Sequence, residues 1–335
     1  MRPDQRVFFG TKAPGAMGSN FKQIWEEVAD PLLDGMTAVV NSGQTVYTEN
    51  TTFCPYTLED SAPQEYIVTW SFIAIPGDNG SIIGLHNVCV DNTEDAFAYR
   101  RYEMLRKLGN TTSANSVSEV WKHTITAAET LPLDLPILVL YSVEQSPDNE
   151  AQVILKLAGT TGLPDKHPLA IQEIRLDLAD ETEDSLFPFK QIINTPDQVL
   201  QVHNVAEELT RGNTTKGWPD PPRNFAVVAA SLTGGLPHSV IVVALNTRAK
   251  LLPPYGDFLI SIARRLESAL LAAESKEADK GALARLETLV QQRTKEVQSH
   301  SLRLVDEQKT RAEEAIRARK EQEAFVDVVQ HEIRK

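Results

Sequence analysis

The residues best placed to do chemistry stand near the end of the sequence. His331 and Glu332 lie in FVDVVQHEIRK (residues 325–335), where an apolar stretch gives way to charge. An imidazole is nucleophilic near neutrality because much of it is uncharged there. A carboxylate beside it on a helix can hold the ring or take its proton. The pair is a candidate phosphate acceptor, although a histidine and an acid on one helix are equally at home on a solvated face. His123, His203, His238 and His300 are scattered without metal-ligand spacing, so no metal site is expected. His167, between Lys166 and Pro168, reads as a loop residue. Trp70, Phe72, His86 and Cys89 either line a pocket or are core. GTTG (159–162) and TGG (233–235) are glycine turns, and no Gly-x4-Gly-Lys-Ser/Thr phosphate loop occurs.

Composition narrows the setting. The 335 residues are 41% hydrophobic and 24% charged, as in a globular protein, and the length suits two or three domains. A net charge of −13 opposes nucleic acid and anionic membrane surfaces. No apolar run approaches the ~20 residues needed to cross a bilayer. The first 20 residues lack a signal-peptide core, and two cysteines, Cys54 and Cys89, do not make a disulfide framework. The expected location is the cytoplasm. From residue 274 to 335 there are 13 Lys+Arg and 13 Asp+Glu, so the whole −13 lies in residues 1–273. A boundary near Ala273 therefore divides an acidic globular part from a balanced, highly charged one.

Periodicity gives the elements. Ile24, Trp25, Val28, Leu32, Met36 and Val39 mark a helix over residues 21–40, with Pro31 able to kink or split it. The period then changes to two: residues 45–52, 64–75 and 81–90 read as strands, the last two a hairpin across PGDNG (76–80). Helices are expected over 93–108 and 113–131. Residues 137–143 and 151–157 form a hairpin across SPDN (146–149). A long irregular, proline-bearing stretch follows. A last hairpin joins 224–232 to 238–246 across TGGLP (233–237). From Tyr255 the chain is helical, with Phe258, Ile262, Leu266, Ala269 and Leu270 in one stripe. Between 274 and 320 there is no proline and one glycine. Leu283, Leu286, Val290, Val297 and Leu304 fit a heptad, with Arg293, His300 and Glu307 at its polar seam positions. So polar a helix is marginal alone, and a homodimer through this helix is expected. The fold class is α+β, two domains with antiparallel sheets flanked by helices and then a long coiled-coil helix.

These residues also carry a family likeness. QIWE (23–26), GQTVYTE (43–49), YIVTWSF (66–72) with Pro76, then Gly84, Val88 and NTE (92–94), resemble the second half of a PAS domain. LRKLG (105–109), LPILVLY (135–141), AGTTGLP (158–164) with His167-Pro168, GWP (217–219) with Pro221-Pro222, and NTR (246–248) with Tyr255 and Phe258 resemble a GAF domain. VDVVQHEIR (326–334) resembles the phosphoacceptor box of sensor histidine kinases, with Gln330 where the box ordinarily has Ser or Cys. The resemblance implies a PAS-like domain over 1–93, incomplete at its start, a GAF-like domain over 103–273, a signalling helix over 274–320 and the start of a phosphoacceptor helix over 321–335.

It implies further that His331 attacks the γ-phosphate of ATP, that Glu332 orients the ring as general base, and that Arg334 lies near the phosphate. Phosphoryl transfer needs Mg²⁺ and a phosphate cradle. ATP and Mg²⁺ would therefore come with a catalytic domain acting in trans, and this chain is expected to hold no cofactor of its own. The other expected partners are a response-regulator receiver and an unknown small ligand in either sensor domain. No cysteine falls in residues 103–273, which excludes a bilin thioether there. The rival reading is a catalytically inactive module that modulates full-length kinases, or a coiled-coil scaffold.

Overall fold

Strand pairing among the described residues gives two antiparallel sheets. In the computed structural model, residues 12, 15–26, 29–54, 63–149, 151–180, 185–211 and 217–333 are described, the side chains of 31, 112, 327 and 330–333 excepted. The chain forms two compact units, Met1–Glu274 and Ser275–Lys335. Among the described residues, no helix is long and apolar enough to cross a membrane.

The first sheet follows a broken helix. A short α1 (Phe21–Ile24), opened by an Asn20–Gln23 capping box, precedes α2 (Ala29–Ser42). Pro31 falls in the first turn of α2, where its missing N–H costs no helical bond; of the two outcomes expected at Pro31 over 21–40, a kink or a split, the helix is in two pieces. α2 ends where Gly43 takes a left-handed φ of +70° and its N–H returns to Val39 O at 2.8 Å. Strands β1 (Val46–Phe53), β2 (Tyr66–Pro76) and β3 (Ile82–Asp91) then form an antiparallel meander. The face packed on α2 carries Phe53, Val68, Trp70 and Phe72, with Trp25 stacked edge-on to Phe53.

The second sheet has six strands in the order β6-β5-β4-β9-β8-β7. Helix α3 (Thr93–Gly109) and helix α4 (Val117–Ala128) come first, the latter capped by Ser116, whose side chain accepts the Glu119 N–H. Strands β4 (Leu138–Gln145) and β5 (Gln152–Thr161) follow as a hairpin. The stretch expected to be irregular contains β6 (Glu173–Asp177), α5 (Phe189–Asn194) and β7 (Val199–Val202). Strands β8 (Phe225–Val228) and β9 (Ser239–Ala244) complete the sheet, β9 pairing with β4 at its centre. Both faces are covered. Leu138, Leu140, Ile241 and Val243 meet α3, α4 and the start of the last helix, whereas Val139, Tyr141, Val240 and Val242 meet Phe187, Phe189 and Ile192. Double coverage explains why β8 and β9 read as unbroken apolar runs rather than alternations.

The last helix, α6, runs without interruption over Pro253–Ile333. Tyr255, Phe258, Leu259, Ile262, Leu266, Leu270 and Ala273 close the core of the first unit. In the second unit its apolar residues are exposed: Leu283 60%, Val290 62% and Val297 67%.

Candidate functional site

The expected phosphoacceptor lies on α6. Its backbone is helical through Ile333, which places His331 and Glu332 on one helix as the sequence predicts. Their side chains, and Arg334 as a whole, lie outside the described residues. The pocket set named on the first sheet divides between faces. Trp70 and Phe72 are core, at 4% and 3% exposure. Cys89 stands opposite Trp70 and His86 opposite Ile73, so with a period of two they point to opposite sides of the sheet. They do not converge on one pocket.

The strongest concentration of buried charge is elsewhere, at a junction between the two sheets. Helix α3 begins on the first: its Thr93 hydroxyl accepts the Ile67 N–H at 2.9 Å, and Asn92 Nδ2 donates to Thr69 Oγ1 at 2.8 Å. Two turns on come Arg100 and Arg101. Arg100 forks onto Glu65, just before β2, at 2.7 and 3.1 Å. Its Nε donates to Asp134, in the turn before β4, and Arg101 Nη2 donates to the other oxygen of Asp134 at 2.9 Å. The Glu65 and Asp134 side chains are only 1% and 0% exposed. Asn246, just beyond β9, donates to Glu65 Oε2 at 3.1 Å, and the Glu65 N–H donates to Arg248 O at 2.8 Å. The Tyr255 hydroxyl on α6 donates to the Asp134 carbonyl and accepts the Asn246 N–H at 3.2 Å. The Arg101 guanidinium lies over the Tyr255 ring, 4.1 Å from its centroid.

Two guanidiniums face two carboxylates, so the cluster is neutral. Burial opposes the charge on Arg100, but its bonds to Glu65 and Asp134 outweigh that and push its pKa up. Burial, with the Asp134 charge adding to it, pushes the Tyr255 phenol up as well, so it remains a proton donor. Paired and hydrogen-bonded, such ions are tolerated in the interior; removing one partner strands the others. The junction therefore ties the edge of the first sheet, α3, the approach to β4 and the first turn of α6 into one polar unit. It lacks a nucleophile set against a base, and its chemistry is mechanical.

A rim of further contacts surrounds it. Arg248 pairs with Asp220 at 3.0 Å and lies 4.4 Å over the Trp218 ring. The thiol of Cys54, next to Arg248, is pushed up by burial despite the bond from that guanidinium, which makes it a poor nucleophile. Beside the junction a cleft of about 530 Å³ opens between α3 and α6, lined by Phe97, Arg101, Tyr102, Leu105, Tyr255 and Phe258.

None of the junction residues stood out as a site in the sequence. One signal was present: Asp134 is a lone charge in LPLDLPILVL, residues 131–140, and a charge inside an apolar run is buried only with a partner.

No family model matches the chain, and no curated protein does. Among solved structures it is similar to the GAF domain of a phosphoenolpyruvate-protein phosphotransferase from Coxiella burnetii, at 16% identity over 54% of this chain and 98% of that one, with a TM-score of 0.37. It is similar to free methionine-R-sulfoxide reductase from Neisseria meningitidis in complex with its substrate, at 16% identity, 54% and 93% coverage and a TM-score of 0.37. A third is the phycoerythrobilin-bound GAF domain from a cyanobacterial phytochrome, at 10% identity, 52% and 96% coverage and a TM-score of 0.36. At such values no activity, ligand or mechanism passes from them to this chain.

Proposed function

We propose that this chain is the sensory and transmitting region of a two-component sensor histidine kinase. In this reading a PAS-like and a GAF-like module act through α6 on the phosphoacceptor His331, with Glu332 orienting its imidazole. The observation that carries the reading is the double use of α6. The same helix closes the core of the first unit, beginning at the Tyr255 bond to the junction, and then continues as a polar helix with exposed apolar residues at heptad spacing. A change in either sheet that alters the junction acts on the first turn of α6. A helix paired with its copy in a second chain converts such a change into a shift of register or crossing angle at His331. ATP and Mg²⁺ are supplied with a catalytic domain in trans, and the phosphate passes to a receiver domain.

The experiment has two parts. Incubated with Mg²⁺, ATP and a separately supplied histidine-kinase catalytic domain, the chain is expected to gain an acid-labile phosphate that His331→Gln abolishes. Absence of label with several such domains favours the inactive modulator instead. In light scattering the full chain is expected at twice its monomer mass, and Leu286→Glu with Val290→Glu is expected to return it to the monomer. A wild-type monomer at micromolar concentration removes the paired-helix mechanism.

A further inference from the structure

The cleft between α3 and α6 has no part in the mechanism proposed above. It lies wholly in the first unit. At about 530 Å³ it has the size of a small-molecule site. Its floor is buried: the Tyr255 and Phe258 rings, and the Arg101 side chain at 9% exposure. Phe97 and Leu105, both half-buried, form its wall on α3.

Arg101 is incompletely used. Its Nη2 donates to Asp134 at 2.9 Å, but its buried Nε N–H has no hydrogen-bond partner among the described residues. A buried donor left unpaired has lost its water without return, so an acceptor brought to it gains more than one offered to a hydrated group. Rings surround the guanidinium. Its carbon lies 4.1 Å from the Tyr255 centroid, 5.1 Å from that of Phe97 and 5.9 Å from that of Phe258. Tyr255 and Phe258 are held in the core. Phe97 is the ring free to yield, so the approach to Nε is from α3.

Charge selects the ligand. Arg100 and Arg101 are already balanced by Glu65 and Asp134. An anionic acceptor would leave this buried cluster with excess negative charge, whereas a neutral one, such as a carbonyl, would not. At the opening, the exposed lining residues set three carboxylates, Glu94, Asp95 and Asp257, against one ammonium, Lys250. Such a mouth draws cations, and aromatic faces hold them.

We propose that this cleft is a binding site for a small planar aromatic cation that bears a carbonyl. The ring lies among Phe97, Tyr102 and Phe258, the carbonyl accepts the Arg101 Nε N–H, and the positive charge faces the acids of the opening. The assignment does not rest on the reading of α6 as the output, and occupancy is measured without reference to His331.

The test uses the full chain and three probes of one shape: 1-methylnicotinamide, a cation; nicotinamide, neutral; and nicotinate, an anion. Binding is read by NMR from the Arg101 Nε–H resonance and the amides of residues 94–105 and 255–261. Affinity is expected to fall in that order, by about tenfold from cation to anion, the worth of a few exposed charge pairs. Glu94→Gln with Asp257→Asn, both exposed, should weaken the cation about threefold and leave nicotinamide unchanged. Ala98→Trp, at an exposed position of the lining, should abolish binding while far-ultraviolet circular dichroism is retained. The proposal is overturned by the absence of a saturable shift with 1-methylnicotinamide up to about 10 mM, the weak limit for a ligand of about ten non-hydrogen atoms. Nicotinate binding as tightly as the cation, or unchanged binding in Ala98→Trp, overturns it equally. Cleft resonances that move with protein concentration and not with the probe assign the groove to a second copy of the chain and also overturn it.

Discussion

Asp134→Ala is the sharpest perturbation of the junction. The carboxylate is fully buried and serves both Arg100 and Arg101, whose side chains are 19% and 9% exposed. Its loss leaves one uncompensated positive charge, since Arg100 keeps Glu65. Breaking a buried pair this way costs about 3–5 kcal/mol. With one stranded charge and Arg100 partly hydrated, the lower end, about 3 kcal/mol, is expected. Asp134→Asn keeps the shape and one acceptor and should cost about 2 kcal/mol, the loss of charged hydrogen bonds. Against a whole-domain stability of about 5–15 kcal/mol either is readily measured. The assay is urea unfolding followed by tryptophan fluorescence. Trp25 and Trp70 report the core of the first sheet, and Trp121 reports α4 on the second. If the junction couples them, wild-type signals coincide in one transition, whereas in Asp134→Ala the first-sheet signal moves to lower urea and separates. A double-mutant cycle of Glu65→Gln with Arg100→Met should give a coupling of at least about 1 kcal/mol. A change below about 0.5 kcal/mol for Asp134→Ala, or an additive cycle, would refute the view that these charges act as one unit.

Two further outcomes concern titration. Bonds from Arg223 and Arg211 hold the Glu207 carboxyl below its ordinary range. Its contribution is therefore present at neutral pH and is lost as acid takes the folded carboxylate through its titration. Carbon-detected NMR should place the Glu207 midpoint below that of a free glutamate, and Arg223→Ala should raise it; no movement removes the assigned cause. Burial pushes the Tyr141 phenol up to about 12. Its contribution to stability is intact below the ordinary phenol range near pH 10 and fades as pH rises towards about 12. Difference absorbance of wild type against Tyr141→Phe should show that ionisation only at the unfolding step; a titration near pH 10 in the folded protein contradicts the burial.

What could be read from the chain followed from local periodicity. Residues 64–75 and 81–90 alternate because one face of β2 packs on α2, and the stripe from Tyr255 to Leu270 repeats because one face of α6 closes a core. Where neighbours in sequence decide the structure, as at the turn 76–80 between β2 and β3, the residue types announce it. The short elements β6, α5 and β7 were not legible. They hold four to six residues each, too few for a period to show, and they exist because β5, β8 and the aromatic cluster around Phe187 and Phe189 accept them. The junction was hidden for the same reason. Glu65, Arg100, Asp134 and Asn246 are separated by 35, 34 and, between Glu65 and Asn246, 181 positions, and no local pattern joins charges so far apart.

The α+β class, the main hairpins and the helical run that carries His331 and Glu332 were legible in the chain, because each depends on side-chain spacing within a dozen residues. Folding alone brings two sheets onto one buried ion cluster and sets His238 beside Glu267 and Glu274. Burial removes water from charged groups, so their partners are chosen by what folding brings within about 3 Å, not by what lies next in the chain.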